Sequence, residues 1–172
     1  MKAKVLLLFL VALVQMMILI SMVTVSALPL WTGKEVKIKT IPVDPRSLFR
    51  GNYALLRYDI SEIQLTDLSN SNATLRQGEM IYVSLLQGDD GYYQMSTVSL
   101  KKPDSGIFVR GRIQGNRYYS PQDKLDVKYG IEAFFAPKEK ALALEKQLTN
   151  GGVAVLMVSD SGKARLKDVI AP

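Results

Sequence analysis

From Val5 to Leu30 the chain carries no charged side chain, and only Gln15, Ser21, Thr24 and Ser26 interrupt the run with polar groups. A helix over 5–30, rising about 1.5 Å per residue, spans about 39 Å, more than the roughly 30 Å of hydrocarbon in a bilayer. Lys2 and Lys4 stand before the run and Trp31 follows it, an aromatic suited to the headgroup level. A buried core helix would not need such length or flanking lysines. Two membrane readings compete. Val25-Ser26-Ala27 has the small-residue pattern of a signal-peptide cleavage site, but the apolar stretch exceeds the roughly 7 to 15 residues of a signal peptide's apolar core. The length favours a retained single-pass anchor over 1–30, with secretion after cleavage near Ala27 as the alternative. Lys34, Lys37 and Lys39 balance the basic charge on the near side, so lysine asymmetry alone does not orient the segment. A basic start running directly into the apolar stretch is the arrangement of an export signal, so the expectation is a cytoplasmic amino terminus and an extracytoplasmic body over 31–172.

The body has its own exclusions. The chain has no histidine and no cysteine, which removes His- or Cys-based catalytic sets, thiolate zinc sites, disulfides and c-type haem attachment. Neither a metal nor a cofactor is expected. Apart from Lys2 and Lys4, all 22 basic and all 16 acidic residues lie in the body, a net of +4. A body that folds without disulfides after export suits a bacterial envelope. There Asn72-Ala73-Thr74 reads as a polar turn.

Period-two alternation dominates this part. Glu35 to Thr40 sets Val36 and Ile38 on one face against charges on the other. Ala54, Leu56, Tyr58 and Ile60 form one face of a second strand beginning just after Gly51, opposed by Tyr53, Leu55, Arg57 and Asp59. Further strands are expected at 80–87, 92–100, 107–113, 125–135, 153–158 and 164–169. Between them stand turn clusters such as Gly88-Asp89-Asp90-Gly91, Pro103-Asp104-Ser105-Gly106 and Asp160-Ser161-Gly162. Connections this short make antiparallel hairpins. One stretch, about 137–149, breaks the pattern: strong helix formers come after Pro137, with Ala141, Leu144 and Leu148 on one stripe. The expected class is α+β, a transmembrane helix followed by a mainly antiparallel sheet or partly closed barrel with one amphipathic helix.

The loop before the second strand, Pro42 to Tyr53, is dense in rigid, charged and aromatic residues. Asp44 precedes Pro45, which holds its backbone extended and leaves its carboxylate free to accept nearby N–H groups. Arg46 and Arg50 are four apart, so a helical turn there would project both guanidinium groups to one side, as a clamp for an anion or as partners of Asp44. Gly51 suits a left-handed or closely packed backbone position.

Gly51-Asn52-Tyr53-Ala54-Leu55-Leu56-Arg57-Tyr58 resembles the signature of the GDYXXLXY family of membrane-anchored proteins. Asp44-Pro45-Arg46 and Leu48-Phe49-Arg50 resemble its lead-in, and Arg110-Gly111-Arg112 and the stretch Tyr129 to Pro137 resemble its later blocks. The resemblance implies a membrane-tethered bacterial domain and brings no reaction with it. At one position the chain departs, for the signature's aspartate is Asn52. A proton-transfer or metal role for that carboxylate would be lost here, whereas a turn-shaping role would survive.

No catalytic residue stands out. Glu132, beside Ile131, Phe134 and Phe135, is the acid whose setting could perturb its pKa, and pairing with Arg110 or Arg112 across the sheet would account for it. Asp89-Asp90 reads as a solvated turn, and Ser47 with Lys101 or Lys102 are nucleophile and base by elimination alone. Tyr92-Tyr93 and Tyr118-Tyr119 read as hairpin packing. Lysines scattered among acids, without a nucleic-acid motif, give no reason to expect nucleic acid as a partner. The candidate binding or motif residues are therefore Asp44, Arg46, Arg50, Gly51, Asn52, Tyr53, Leu56, Tyr58, Arg110, Arg112 and Glu132. The expected function is a membrane-anchored envelope module that binds a protein or another envelope component, touching lipid through residues 5–30. The alternative is a carboxylate-dependent or Ser/Lys-type hydrolase at the membrane surface.

Overall fold

A computed structural model describes residues 2–41, 53–69, 75–114, 124–135 and 151–170. The apolar run forms α1, Lys2–Thr32, in which residues 4–32 are long and apolar enough to cross a membrane. Its side chains are exposed from Lys4 to Val25, after which Ser26 and Ala27 are half-buried and Pro29 is buried. Gly33 follows the helix directly: its N–H donates to the Pro29 carbonyl at 3.0 Å. A Cβ on Gly33 would lie 2.3 Å from that same oxygen and 3.0 Å from the Val158 nitrogen.

The rest is strand, as the alternation requires. β1, Lys34–Ile41, buries Val36, Ile38 and Thr40 and turns Glu35, Lys37 and Lys39 outward. It pairs antiparallel with β10, Gly152–Val158, which in turn pairs with β11, Ala164–Ile170. β10 is buried along most of its length, in keeping with its run of Val, Ala and Leu. Thr40 closes the far end of the β1–β10 ladder: its hydroxyl donates to the Gly152 carbonyl and accepts the Gly152 N–H.

The expected second strand divides. Tyr53–Leu55 forms β2 and Arg57–Tyr58 forms β3, and β3 completes a four-stranded sheet of order β11-β10-β1-β3. The division falls at Leu56, whose N–H donates to the Glu132 carbonyl at 2.7 Å, one step beyond the ladder pairs of β2, before the chain turns to β1 at Arg57. A 3-10 turn, Asp59–Ser61, then leads into a short strand that alternation did not disclose, β4, Glu62–Gln64.

A five-stranded antiparallel sheet carries the remaining core. Its members are β4 together with β5, Met80–Gln87; β6, Tyr93–Ser99; β7, Ile107–Gln114; and β8, Lys124–Lys128; the order is β4-β8-β7-β5-β6. The expected strand over 125–135 breaks after β8, because Gly130 takes a positive φ of 79° and turns the chain. The short strand beyond this turn, β9, Ala133–Phe135, pairs instead with β2. The two larger sheets face each other across one core of Val36, Ile38, Ile81, Val83, Val109, Val127 and Leu156. Register shifts at Ser84/Leu85 and at Val155/Leu156 help curl these sheets. The class is α+β, a long apolar helix followed by curled antiparallel sheets. The amphipathic helix expected at about 137–149 lies outside the described residues.

Candidate functional site

The signature residues within view form a structural staple. Leu56 and Tyr58 are buried, and the Tyr58 hydroxyl donates to the Ile131 carbonyl at 2.5 Å. Tyr129 answers in the other direction, its hydroxyl donating to the Ile60 carbonyl at 2.6 Å. Two phenols thus cross-link the signature segment to the turn after β8. Burial holds both well above the ordinary tyrosine range, with the Glu132 charge adding to the effect on Tyr58 and the Asp59 charge to that on Tyr129. They are donors that stay protonated.

Glu132 serves the same turn. Its carboxylate accepts the N–H of Tyr129 at 2.5 Å and of Gly130 at 3.0 Å, doing for this left-handed turn what an Asx side chain does for shorter ones. Among the described residues no ion pair joins it to Arg110 or Arg112; the backbone, not the neighbouring strand, supplies its partners. The β2–β9 ladder pairs Tyr53 with Phe135 through the backbone. Asp44, Arg46, Arg50, Gly51 and Asn52 lie outside the described residues, as do Ser47, Asn72, Tyr118 and Tyr119.

Arg110 and Arg112 belong to a different place. In β7, Val109, Gly111 and Ile113 turn into the core, so Arg110 and Arg112 project from the opposite face, roughly 7 Å apart as alternate strand residues are. Gly111 is required between them: a Cβ there would lie 2.4 Å from Val127 Cγ1 and 3.0 Å from the Tyr129 ring. β8 covers β7 only from Arg112 to Gln114, which leaves the edge at Arg110 without a strand partner on that side. The tip of the β10–β11 hairpin takes the vacant place, and the Arg110 N–H donates to the Gly162 carbonyl at 2.8 Å. Gly162, with φ 76°, lies so close to the Phe108 ring that a Cβ would approach it to 2.6 Å.

At this seam, where one strand departs and a hairpin from the other sheet arrives, lies an open cleft of about 410 Å³. Its floor holds Arg110, Gly111 and Arg112, one wall holds Lys128, Tyr129 and Gly130, and the other Lys163, Ala164 and Arg165. Five lining residues are cationic, and among the described residues none that lines it is acidic. Arg112 stands directly opposite Lys128 in the β7–β8 register, a like-charge juxtaposition that costs stability. Away from the cleft, basic residues meet acids: Lys39 meets Asp90 at 2.7 Å, Lys167 meets Glu35 at 2.8 Å, Arg57 meets Asp126 at 2.8 Å, and Lys124 pairs with Glu62. Among the described residues none of the five cleft cations forms an ion pair. Arg112 donates to the Gly78 carbonyl at 2.8 Å, and Arg165 donates to the Ser26 carbonyl at 3.1 Å and to the Ser26 hydroxyl in α1. Lys128, Lys163 and Arg165 were not singled out in the sequence, since only the strand order brings them beside Arg110 and Arg112.

These features define an α+β domain of curled antiparallel sheets behind a long apolar helix, with five cations gathered around one cleft. The chain belongs to the GDYXXLXY family: the family model described as GDYXXLXY protein matches residues 15–169, most of the chain. No curated protein and no solved structure matches it.

Proposed function

We propose that the protein is a single-pass, membrane-anchored module of a bacterial envelope, with its body outside the cytoplasm, and that it binds an anionic envelope component in the seam cleft. The observation that carries this reading is the set of five cations around one cavity of about 410 Å³, none of them ion-paired among the described residues. Arg112 and Arg165 each hold a backbone carbonyl, but gathering all five around one cavity brings like charges together, as at Arg112 and Lys128, where basic residues in other places meet acids. Local rules broken without a structural return mark functional positions. Guanidinium forks and ammonium groups converging on a cavity of this size recognise carboxylate or phosphate oxygens.

Support for the anchor comes from α1 itself, which is 0% buried over its membrane-length window and so presents its apolar side chains to whatever surrounds it. The hydrolase alternative draws no support from a particular arrangement: its serine candidate, Ser47, lies outside the described residues, and Glu132 is occupied by the turn it caps.

Titrating the full chain in a non-ionic detergent with sodium polyphosphate tests the binding reading. Saturable binding is expected, at least ten-fold weaker in the Arg110→Gln/Lys163→Gln variant and unchanged in Lys37→Gln/Lys101→Gln, which removes as much charge away from the cleft. Equal weakening by both pairs would reduce the effect to net charge and defeat the proposal.

A further inference from the structure

The position of the cleft along α1 says what kind of anion it meets. Counting from Lys4, about 30 Å of hydrocarbon takes about 20 helical residues, which puts the far edge of the hydrocarbon near residue 24. The body begins to cover the helix at the same height: Val25 is exposed, Ser26 and Ala27 are half-buried, and Pro29 is buried. Arg165, a wall residue of the cleft, makes its contact at Ser26. Trp31, 72% exposed about one turn further along, is suited to the same interfacial layer. The count from Lys4 and the onset of burial are independent measures, and both set Arg165, at the helix side of the cleft, at the level of lipid headgroups.

Building on the proposed binding of an anion in the seam by an anchored body, we infer that this anion is the phosphate of an anionic phospholipid in the membrane that holds α1. Arg165 stands nearest the helix and Lys163 two residues back toward the hairpin tip, while Arg110, Arg112 and Lys128 face them from β7 and β8. A headgroup entering beside the helix therefore meets cations on both sides. The lack of an acidic side chain among the described lining residues selects for net charge: a zwitterionic headgroup carries the same phosphate but adds an ammonium group, for which the cleft offers no counter-charge. Cations beside a bilayer also gain from the negative surface potential of anionic lipid, which falls off within about 10 Å at moderate salt. A soluble polyanion could satisfy the same groups but gives no reason for the cleft to sit at this height.

The test is native mass spectrometry of the full chain, released from non-ionic detergent micelles and titrated with phosphatidylglycerol, with phosphatidylcholine of the same acyl chains, and separately with sodium polyphosphate. Phosphatidylglycerol is expected to bind at least ten-fold more tightly than phosphatidylcholine. That preference should fall at least ten-fold in Arg110→Gln/Lys163→Gln and persist in Lys37→Gln/Lys101→Gln. Lys128→Gln, a single exposed change on the opposite wall of the cleft, should weaken it to a lesser degree and guards against misfolding of the double variant. Equal binding of the two lipids, or a preference indifferent to the cleft substitutions, overturns the inference. If polyphosphate binds through the cleft while phosphatidylglycerol does not, the lipid assignment falls and the anionic-component reading stands. If neither binds, both fall.

Discussion

Tyr58 and Tyr129 show how a short motif can be chemical in appearance and mechanical in effect. Each phenol caps a carbonyl on the other's segment, so Tyr58→Phe leaves the Ile131 oxygen, and Tyr129→Phe the Ile60 oxygen, without its donor. Each substitution is expected to cost about 1–3 kcal/mol, read as a lowered urea midpoint of the full chain in detergent. The same phenols set an alkaline limit. In the unfolded chain they lose their protons near pH 10, whereas in the fold burial holds both above that value. Their stabilising contribution is therefore complete below about pH 10 and declines as pH rises beyond it, by about 1.4 kcal/mol per pH unit for each phenol. The double Phe variant should show a shallower alkaline decline than the parent between about pH 10 and 12, the span just above the unfolded tyrosine value; parallel curves would refute this account. In the sequence, alternation placed Leu56 and Tyr58 on one face, but it could not reveal that both sink fully into the core, because what covers that face comes from far along the chain, Ile131 among it. Arg110 and Arg112 were legible as a pair, and the wall facing them was not, since Lys128, Lys163 and Arg165 join it only through strand order.

Among the elements, those with clean alternation, or a continuous apolar run as in β10, between turn clusters were legible nearly residue for residue. Met80–Gln87 was expected and found as it stands, and the strands at 107–113, 153–158 and 164–169 grew by a single residue at an end. The elements that were misjudged are those where the chain changes partners. Alternation continues through Leu56 and through Tyr129, yet the ladder changes from β9 to β1 at the first and from β7 to β2 at the second. Local pattern does not record which neighbour a strand has. Two glycines bear on the seam. Gly111→Ala is expected to lower stability by about 1–3 kcal/mol, because Val127 and Tyr129 must yield to the new methyl. Gly162→Ala combines a positive φ with a clash against Phe108, so it should lift the hairpin tip and speed hydrogen exchange at the Arg110 amide. An unchanged exchange rate there would show that the tip does not close the seam.

At the scale of the molecule, the long helix meets the sheets at the Gly33 turn and at the Arg165–Ser26 contact. Arg165→Ala should leave the sheets folded while accelerating amide exchange from Ser26 to Gly33. Topology has its own check. Protease added to spheroplasts is expected to digest the body and spare the apolar segment; a protected body would overturn the proposed extracytoplasmic placement. The apolar helix was legible from composition and the antiparallel sheets from alternation and short connections, while the amphipathic helix expected at about 137–149 lies outside the described residues.

The room denied at Gly33 leaves the junction without slack. A single added methyl would collide with the Pro29 carbonyl and crowd the Val158 nitrogen, so the last helical turn and the end of β10 meet at Gly33 with no spacer between them. The hairpin that closes the cleft begins at the strand the rod leans on. Substituting alanine at Gly33 would thus be felt beyond the turn, at the Val158 end of β10 from which the hairpin leaves for its contact with Arg110.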